Sequence, residues 1–145
     1  MLRRTILVTI FAVLLLAGRM AAADQSALTV ETAAGKQPFT VELATTSDQM
    51  ALGLMFRQSM PADAGMLFIY PSEQHVEFWM KNTLIPLDMV FIDADGHVES
   101  IAANTTPMSE KIIRSKGMVV SVLELKGGRT EKLNIHAGAV IRVTN

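Results

Sequence analysis

The segment from Val76 to Ala103 constrains the fold more than any other, because its apolar residues recur at strand spacing over the longest stretch of the chain. Two alternating runs, 76-VEFWMK-81 and 88-DMVFID-93, precede Asp95-Gly96, a favoured two-residue hairpin turn in which both positions tolerate positive φ, and then 97-HVESIAA-103 follows. Placed antiparallel with Lys81 opposite Asp88, the first two runs set Met80 against Met89, Trp79 against Val90, Phe78 against Phe91 and Glu77 against Ile92. Directly opposed residues share a face of a sheet. One face then carries Val76, Phe78, Met80, Met89 and Phe91 and belongs to the core, whereas the other mixes Glu77, Trp79, Lys81, Asp88, Val90 and Ile92. The spacing predicts a three-stranded meander, with the chain's one tryptophan on the mixed face.

Strand signals continue on both sides. In 28-LTVET-32 and 39-FTVELA-44 every second residue is apolar, and 34-AGKQP-38 between them holds the Gly and Pro of a turn, so a first hairpin is expected. In 46-TSDQMALGLMFRQSM-60, Thr46 and Gln49 fit the reciprocal capping box and predict a helix over about 46–57, its buried stripe formed by Met50, Leu54 and Met55. Gly53 lowers helix propensity by about 1 kcal/mol against alanine and marks a place of close packing. Pro61 and Gly65 signal a loop before 66-MLFIY-70, an apolar run suited to a central strand. After a polar loop from Asn104 to Gly117, 118-MVVSVLEL-125 is a long β-branched strand, 126-KGG-128 turns the chain, 129-RTEKLNI-135 makes a helical turn and 139-AVIRV-143 adds a last strand. Many short strands with one main helix predict an α+β fold, a mostly-β domain that is barrel-like or a strongly curled mixed sheet.

Arg3-Arg4, the apolar run from Ile6 to Ala17 and Ala21-Ala22-Ala23 have the three-part pattern of a secretory signal, so cleavage after Ala23 and a periplasmic or secreted product are expected. The run is shorter than the about 20 apolar residues of a spanning helix, and no stable membrane anchor is expected after cleavage. A single globular domain is expected over residues 24–145, with a monomer favoured. It holds ten basic and fourteen acidic residues, a net charge of −4. That balance disfavours nucleic acid, whose recognition takes a basic patch. Without cysteine, neither a disulfide nor a thiolate-bound metal can hold the fold.

The strings 53-GLMFR-57, 65-GMLFIY-70, 78-FWMKNTLIPLDMVFID-93, 122-VLELKGG-128 and 138-GAVIRV-143 resemble the uncharacterised prokaryotic family catalogued as domain of unknown function 192. The resemblance runs over about residues 28 to 144. It implies a small mixed α/β, barrel-like domain that is often exported, and it implies no established activity.

The residues with most chemical potential are Arg57, Trp79, Lys81, Asn82, Thr83 and Asp88. An aromatic face beside fixed donors and a carboxylate suits a saccharide or a small anionic metabolite. The same residues also have a purely structural reading, in which Lys81 and Asp88 form a cross-strand ion pair worth a fraction of a kcal/mol and Asn82 and Thr83 bond within their own loop. Eight methionines after Ala23 could offer soft ligands to Cu(I), although Met80 and Met89 on the core face and Met50 on the helix stripe read as flexible core filling. His75, His97 and His136 are too scattered for a zinc motif, and 93-DADG-96 reads as a hairpin turn rather than a calcium loop. G-x-S-x-G, H-E-x-x-H and a cysteine nucleophile are absent. Asp88 with Glu77 or Glu124 could serve glycoside hydrolysis, and Lys111, Arg114 and Lys116 read as a solvated basic loop. The leading expectation is therefore a non-catalytic exported binding or accessory domain for a small polar ligand or saccharide, without cofactor or metal. A carbohydrate-active hydrolase built on Asp88 and a methionine-based Cu(I) carrier are the alternatives.

Overall fold

The computed structural model describes residues 24–32 and 35–142. The expected signal peptide and the tip of the first hairpin lie outside the described residues. Strands β1 (Gln25–Thr32) and β2 (Gly35–Ala44) pair antiparallel with Leu28 opposite Phe39, and the alternating Leu28, Val30, Phe39 and Val41 are buried. Lys36, Gln37 and Pro38, expected in the turn, already belong to β2 and pair with β1.

Helix α1 (Ser47–Leu52) starts as its capping box predicts. The Gln49 N–H donates to Thr46 Oγ1 at 3.3 Å and the Thr46 N–H donates to Gln49 Oε1 at 3.0 Å. It stops well short of residue 57, because Gly53 takes φ 48° and ψ −132°, a conformation that side chains resist and that ends the helix. Thr45 to Asp63 then serve as the crossover that parallel strands require. They lead into β3 (Ala64–Gln74), which lies parallel to β2 with Val41 beside Gly65 and Leu43 beside Leu67.

The remaining strands are β4 (Glu77–Phe78), β5 (Leu87–Ile92), β6 (Val98–Ala102), β7 (Ile113–Arg114), β8 (Val119–Lys126) and β9 (Ile141–Arg142), with α2 (Arg129–Lys132) between the last two. Seven strands form one sheet in the order β6-β5-β8-β3-β2-β1-β9, while β4 and β7 make a separate pair. The large sheet is strongly curled and its edges are tied. His97 bridges to Val140, the Val98 N–H donates to the Ala139 carbonyl and the Ile141 N–H donates to the Gly96 carbonyl, each at 2.8 Å. This is the mostly-β, barrel-like fold expected from the strand pattern.

The predicted pairing of 76–81 with 88–93 is replaced. Glu77 and Phe78 pair with Arg114 and Ile113, and β5 pairs with β6 on one side and β8 on the other. Met80 begins a tight turn, with the Thr83 N–H donating to its carbonyl at 3.1 Å and Asn82 at φ 54°, so the first run never reaches alongside the second. The physical reason lies in composition. All six residues of β5 are buried, which suits a strand enclosed on both faces, and β8 offers it six successive partners from Lys126 to Ser121. The expected meander therefore reduces to the β5–β6 hairpin. Its turn differs too: only Gly96 has positive φ, and Asp93 Oδ1 accepts the N–H groups of Asp95 and His97 at 3.0 and 2.9 Å.

Two apolar clusters fill the two faces of the sheet. One gathers Leu28, Val41, Leu67, Val90, Ile92 and Leu123; the other gathers Leu54, Met66, Phe68, Met80, Met89 and Phe91 beneath α1 and β4. Val90 and Ile92, expected on a mixed face, are core residues of the first cluster. Gly65 lies inside β3 rather than in a loop, because a Cβ there would come within 2.6 Å of the Glu124 carbonyl oxygen.

Candidate functional site

Two carboxylates sit on neighbouring central strands, and their environments are opposite. On β5, Asp88 stands opposite Leu125, while Met89 stands opposite Glu124 on β8. Opposed residues share a face, so Asp88 and Glu124 project to opposite sides of the sheet.

Asp88 is fully buried and fully used. Its Oδ1 accepts from the N–H groups of Asn104 at 2.8 Å and Gly128 at 3.1 Å, and its Oδ2 accepts from the N–H and hydroxyl of Thr130 at 2.8 and 2.7 Å. Gly128, the N-cap of α2, has no side chain to cap the helix. Asp88 supplies that cap from another strand and satisfies donors that a helix start leaves free. It is not opposite Lys81, whose ammonium lies 3.3 Å from Glu110. A hydrolytic pair of Asp88 with Glu124 is ruled out by the sheet, and one with Glu77 by the depth of Asp88, since Glu77 is a surface residue bonded to Arg114 at 2.6 Å.

Glu124 is the contrary case. It is 4% exposed, with Met66 of β3 and Met89 of β5 as its cross-strand neighbours. Among the described residues no group donates to its carboxyl, and burial pushes its pKa up to about 8. At neutral pH it is therefore mostly a neutral acid. Its charge also contributes to Tyr70, whose hydroxyl is pushed up to about 12, first by burial and then by Glu124.

Glu124 forms the floor of a small hollow of about 40 Å³ whose walls include Leu54, Phe68, Phe78, Trp79 and Thr83. A wider outer cleft of about 340 Å³ shares Met50, Ala51, Phe68, Phe78 and Trp79 with it and reaches Tyr70 and Glu77. The end of α1 is one wall. Gly53 lets the chain turn there, and a Cβ at this position would lie 3.4 Å from the Phe68 ring. Phe78 stacks edge-on to Phe68, their ring centres 5.1 Å apart. Trp79 is 43% exposed, with Lys81 Nζ 5.0 Å from its ring centre.

Of the residues singled out in the sequence, Trp79 and Thr83 thus line the cleft and Lys81 sits at its rim. Asn82 contributes its carbonyl, which accepts the Phe56 N–H at 2.8 Å and ties the 79–83 turn to the chain after α1. Arg57 lies elsewhere, held by a two-pronged ion pair with Glu42 of β2 whose Nη2–Oε2 arm is 2.7 Å. The hydrogen bond from Arg57 holds Glu42 below the usual carboxylate range. Glu124, rather than Asp88, is the buried carboxyl of the cleft, with Glu77 at its outer part. A single acid within the strand 118-MVVSVLEL-125 was its visible signal, because a strand apolar on both faces is buried on both.

A larger hollow, about 540 Å³, is bordered by Lys126, Arg129 and Lys132 near α2. Two of the helix-start N–H groups there, those of Gly128 and Thr130, are already taken by Asp88. Met60, Met66, Met80 and Met89 are buried in the second apolar cluster while Met108 and Met118 are exposed, which fits core filling better than a sulfur site. Asp93, Asp95 and His97 approach one another, but Asp93 is occupied in closing its own turn.

Residues 29–143 match the profile of DUF192, described as Uncharacterized ACR. No curated protein matches the chain. A crystal structure from Sinorhizobium meliloti 1021, for which a role as transcription regulator has been suggested, is 40% identical, with a TM-score of 0.81 over 84% of this chain and 95% of that one. A protein of unknown function from Novosphingobium aromaticivorans DSM 12444 is 36% identical, with a TM-score of 0.82 over 86% of this chain and 89% of that one. The chain belongs to the DUF192 family of uncharacterised proteins.

Proposed function

We propose that this protein is an exported, non-catalytic binding domain whose small-molecule site is the cleft between Trp79 and Glu124. The observation that carries this reading is Glu124 itself. Burial makes a charged carboxyl costly, and here a carboxyl to which no described residue donates opens onto an aromatic cleft. Binding sites commonly combine apolar walls with a few placed polar groups. The walls favour a ligand with an apolar or aromatic body and one polar head over a saccharide, whose many hydroxyls would find few partners here. Export rests on the signal pattern of residues 1–23. A non-catalytic role is consistent with Asp88 facing away from Glu124 and with Glu77 being held by Arg114.

Trp79 provides the readout, because it is the one tryptophan of the chain. Titration with small amphiphiles, followed by tryptophan emission and thermal shift, is expected to move both signals. Trp79→Ala should abolish the thermal shift while leaving the protein folded. If no amphiphile in a broad fragment panel moves either signal, the reading is wrong.

A further inference from the structure

We infer that the inner hollow is built for a primary ammonium group, whose apolar or aromatic body would lie in the outer cleft against Trp79 and Phe78. This deepens the binding-site reading and rests on it.

Glu124 contributes carboxyl oxygens to which no described residue donates. The Thr83 hydroxyl commits its hydrogen to the Lys81 carbonyl at 3.2 Å and so presents only lone pairs. Met50 and Ala51 belong to the last turn of α1, where the N–H of Gly53 bonds to Gln49 and that of Met55 to Leu52. The carbonyls of Met50 and Ala51 thus accept no backbone hydrogen bond among the described residues. Phe68, Phe78 and Trp79 supply ring faces, which attract cations. Apart from the indole N–H of Trp79, the polar side chains around the hollow are acceptors once Glu124 has given up its proton. A primary ammonium is the complement, with three donors and no acceptor.

Size fits this choice. A space of about 40 Å³ holds at least one water-sized group, enough for –NH₃⁺, whereas a trimethylammonium head would bring no N–H donor to the acceptors there. The outer cleft, at about 340 Å³, has room for a phenyl ring or a short alkyl chain. The charged groups facing this region are Glu77, paired with Arg114, and Lys81, paired with Glu110, together with the un-ionised Tyr70. Neither pair reaches Glu124, so the ligand would be the cation that Glu124 lacks.

Ammonium binding then requires Glu124 to ionise. Below a pH of about 8 one proton leaves the carboxyl for solvent as each ammonium binds, and affinity should rise about tenfold per pH unit from 6 towards 8 before levelling. The test titrates the purified protein with phenethylammonium, benzyltrimethylammonium, benzyl alcohol and phenylacetate, following Trp79 emission at pH 6, 7 and 8. Calorimetry in two buffers of different ionisation heat counts the released proton. Phenethylammonium is expected to bind at least tenfold more tightly than the other three at pH 8, with the predicted pH slope and close to one proton released at pH 6. Glu124→Gln should remove both the preference and the slope. Tight binding of benzyl alcohol or phenylacetate, with affinity flat or falling towards pH 8, would overturn the ammonium assignment and leave the binding cleft standing. Silence from all four probes would count against both.

Discussion

Replacing Glu124 by glutamine tests the most unusual feature of the fold directly, because the side chain keeps its size and loses its proton. In the folded protein Glu124 holds that proton up to a pH of about 8, whereas its ordinary value is 4.5. Between these values the folded state binds more protons than the unfolded chain, and stability must fall as pH rises. The contribution is fully present below about 4.5, declines through the window and is lost once the carboxyl ionises above about 8. The slope is about 1.4 kcal/mol per pH unit, so moving from pH 6 to 8 removes about 2–3 kcal/mol. That is a large fraction of the about 5–15 kcal/mol that holds a typical domain together. Urea unfolding of both proteins at pH 6, 7 and 8 isolates the effect, since titrations common to both cancel in the difference. Glu42 is one of these, and its depressed pKa acts in the other direction, stabilising at neutral pH and losing that contribution on acidification. Glu124→Gln should gain on wild type by about 2–3 kcal/mol across this range. Parallel stability curves would show that Glu124 is already ionised in the folded protein and would remove the neutral acid from the cleft.

Asp88→Ala should cost at least about 3 kcal/mol in chemical denaturation, because it strands the N–H groups of Asn104, Gly128 and Thr130; a loss under about 1 kcal/mol would contradict its capping role. Lys81→Ala should cost less than about 1 kcal/mol, since its pair with Glu110 is exposed, while shifting Trp79 emission by removing the cation over the ring. Gly65→Ala should destabilise by about 2 kcal/mol or more, as overpacked sites do, because the new methyl group meets the Glu124 carbonyl oxygen of β8; near-neutral thermal unfolding would show that β3 and β8 separate easily.

The parts of the fold legible in the sequence are those set by neighbours along the chain. The alternation of Leu28, Val30, Phe39 and Val41 specified which faces of β1 and β2 are buried, and Thr46 with Gln49 specified where α1 begins. Its end was misplaced because Gly53 acts through backbone conformation rather than through propensity alone. Pairing was the harder matter. Periodicity tells which side chains share a face but not which strand lies alongside, and 88–93 had two better partners in β6 and β8 than in 76–81. The short β4 instead joins β7, drawn from a segment whose polar residues read as a loop. Thr83 stands in the polar break after 76–81, whereas Trp79 stands out through a strand register that the fold replaces, and Arg57 lies away from both because its partner Glu42 is fifteen residues away on β2.

The two buried acids show why a site is less legible than a strand. Asp88 and Glu124 look alike in the sequence, each a single acid within a β-branched apolar run, and the sheet encloses both central strands on both faces. Such enclosure leaves an acid two stable options. It can be surrounded by donors, as Asp88 is by groups 16 to 42 residues further along the chain, or it can remain without them and keep its proton, as Glu124 does. No local pattern distinguishes these outcomes, because the donors come from Asn104 and the start of α2. The first option uses every lone pair needed for a ligand, and the second leaves them available. The acid that interrupts β5 is thus explained by the fold, and the acid that interrupts β8 is the one whose presence calls for a partner from solution.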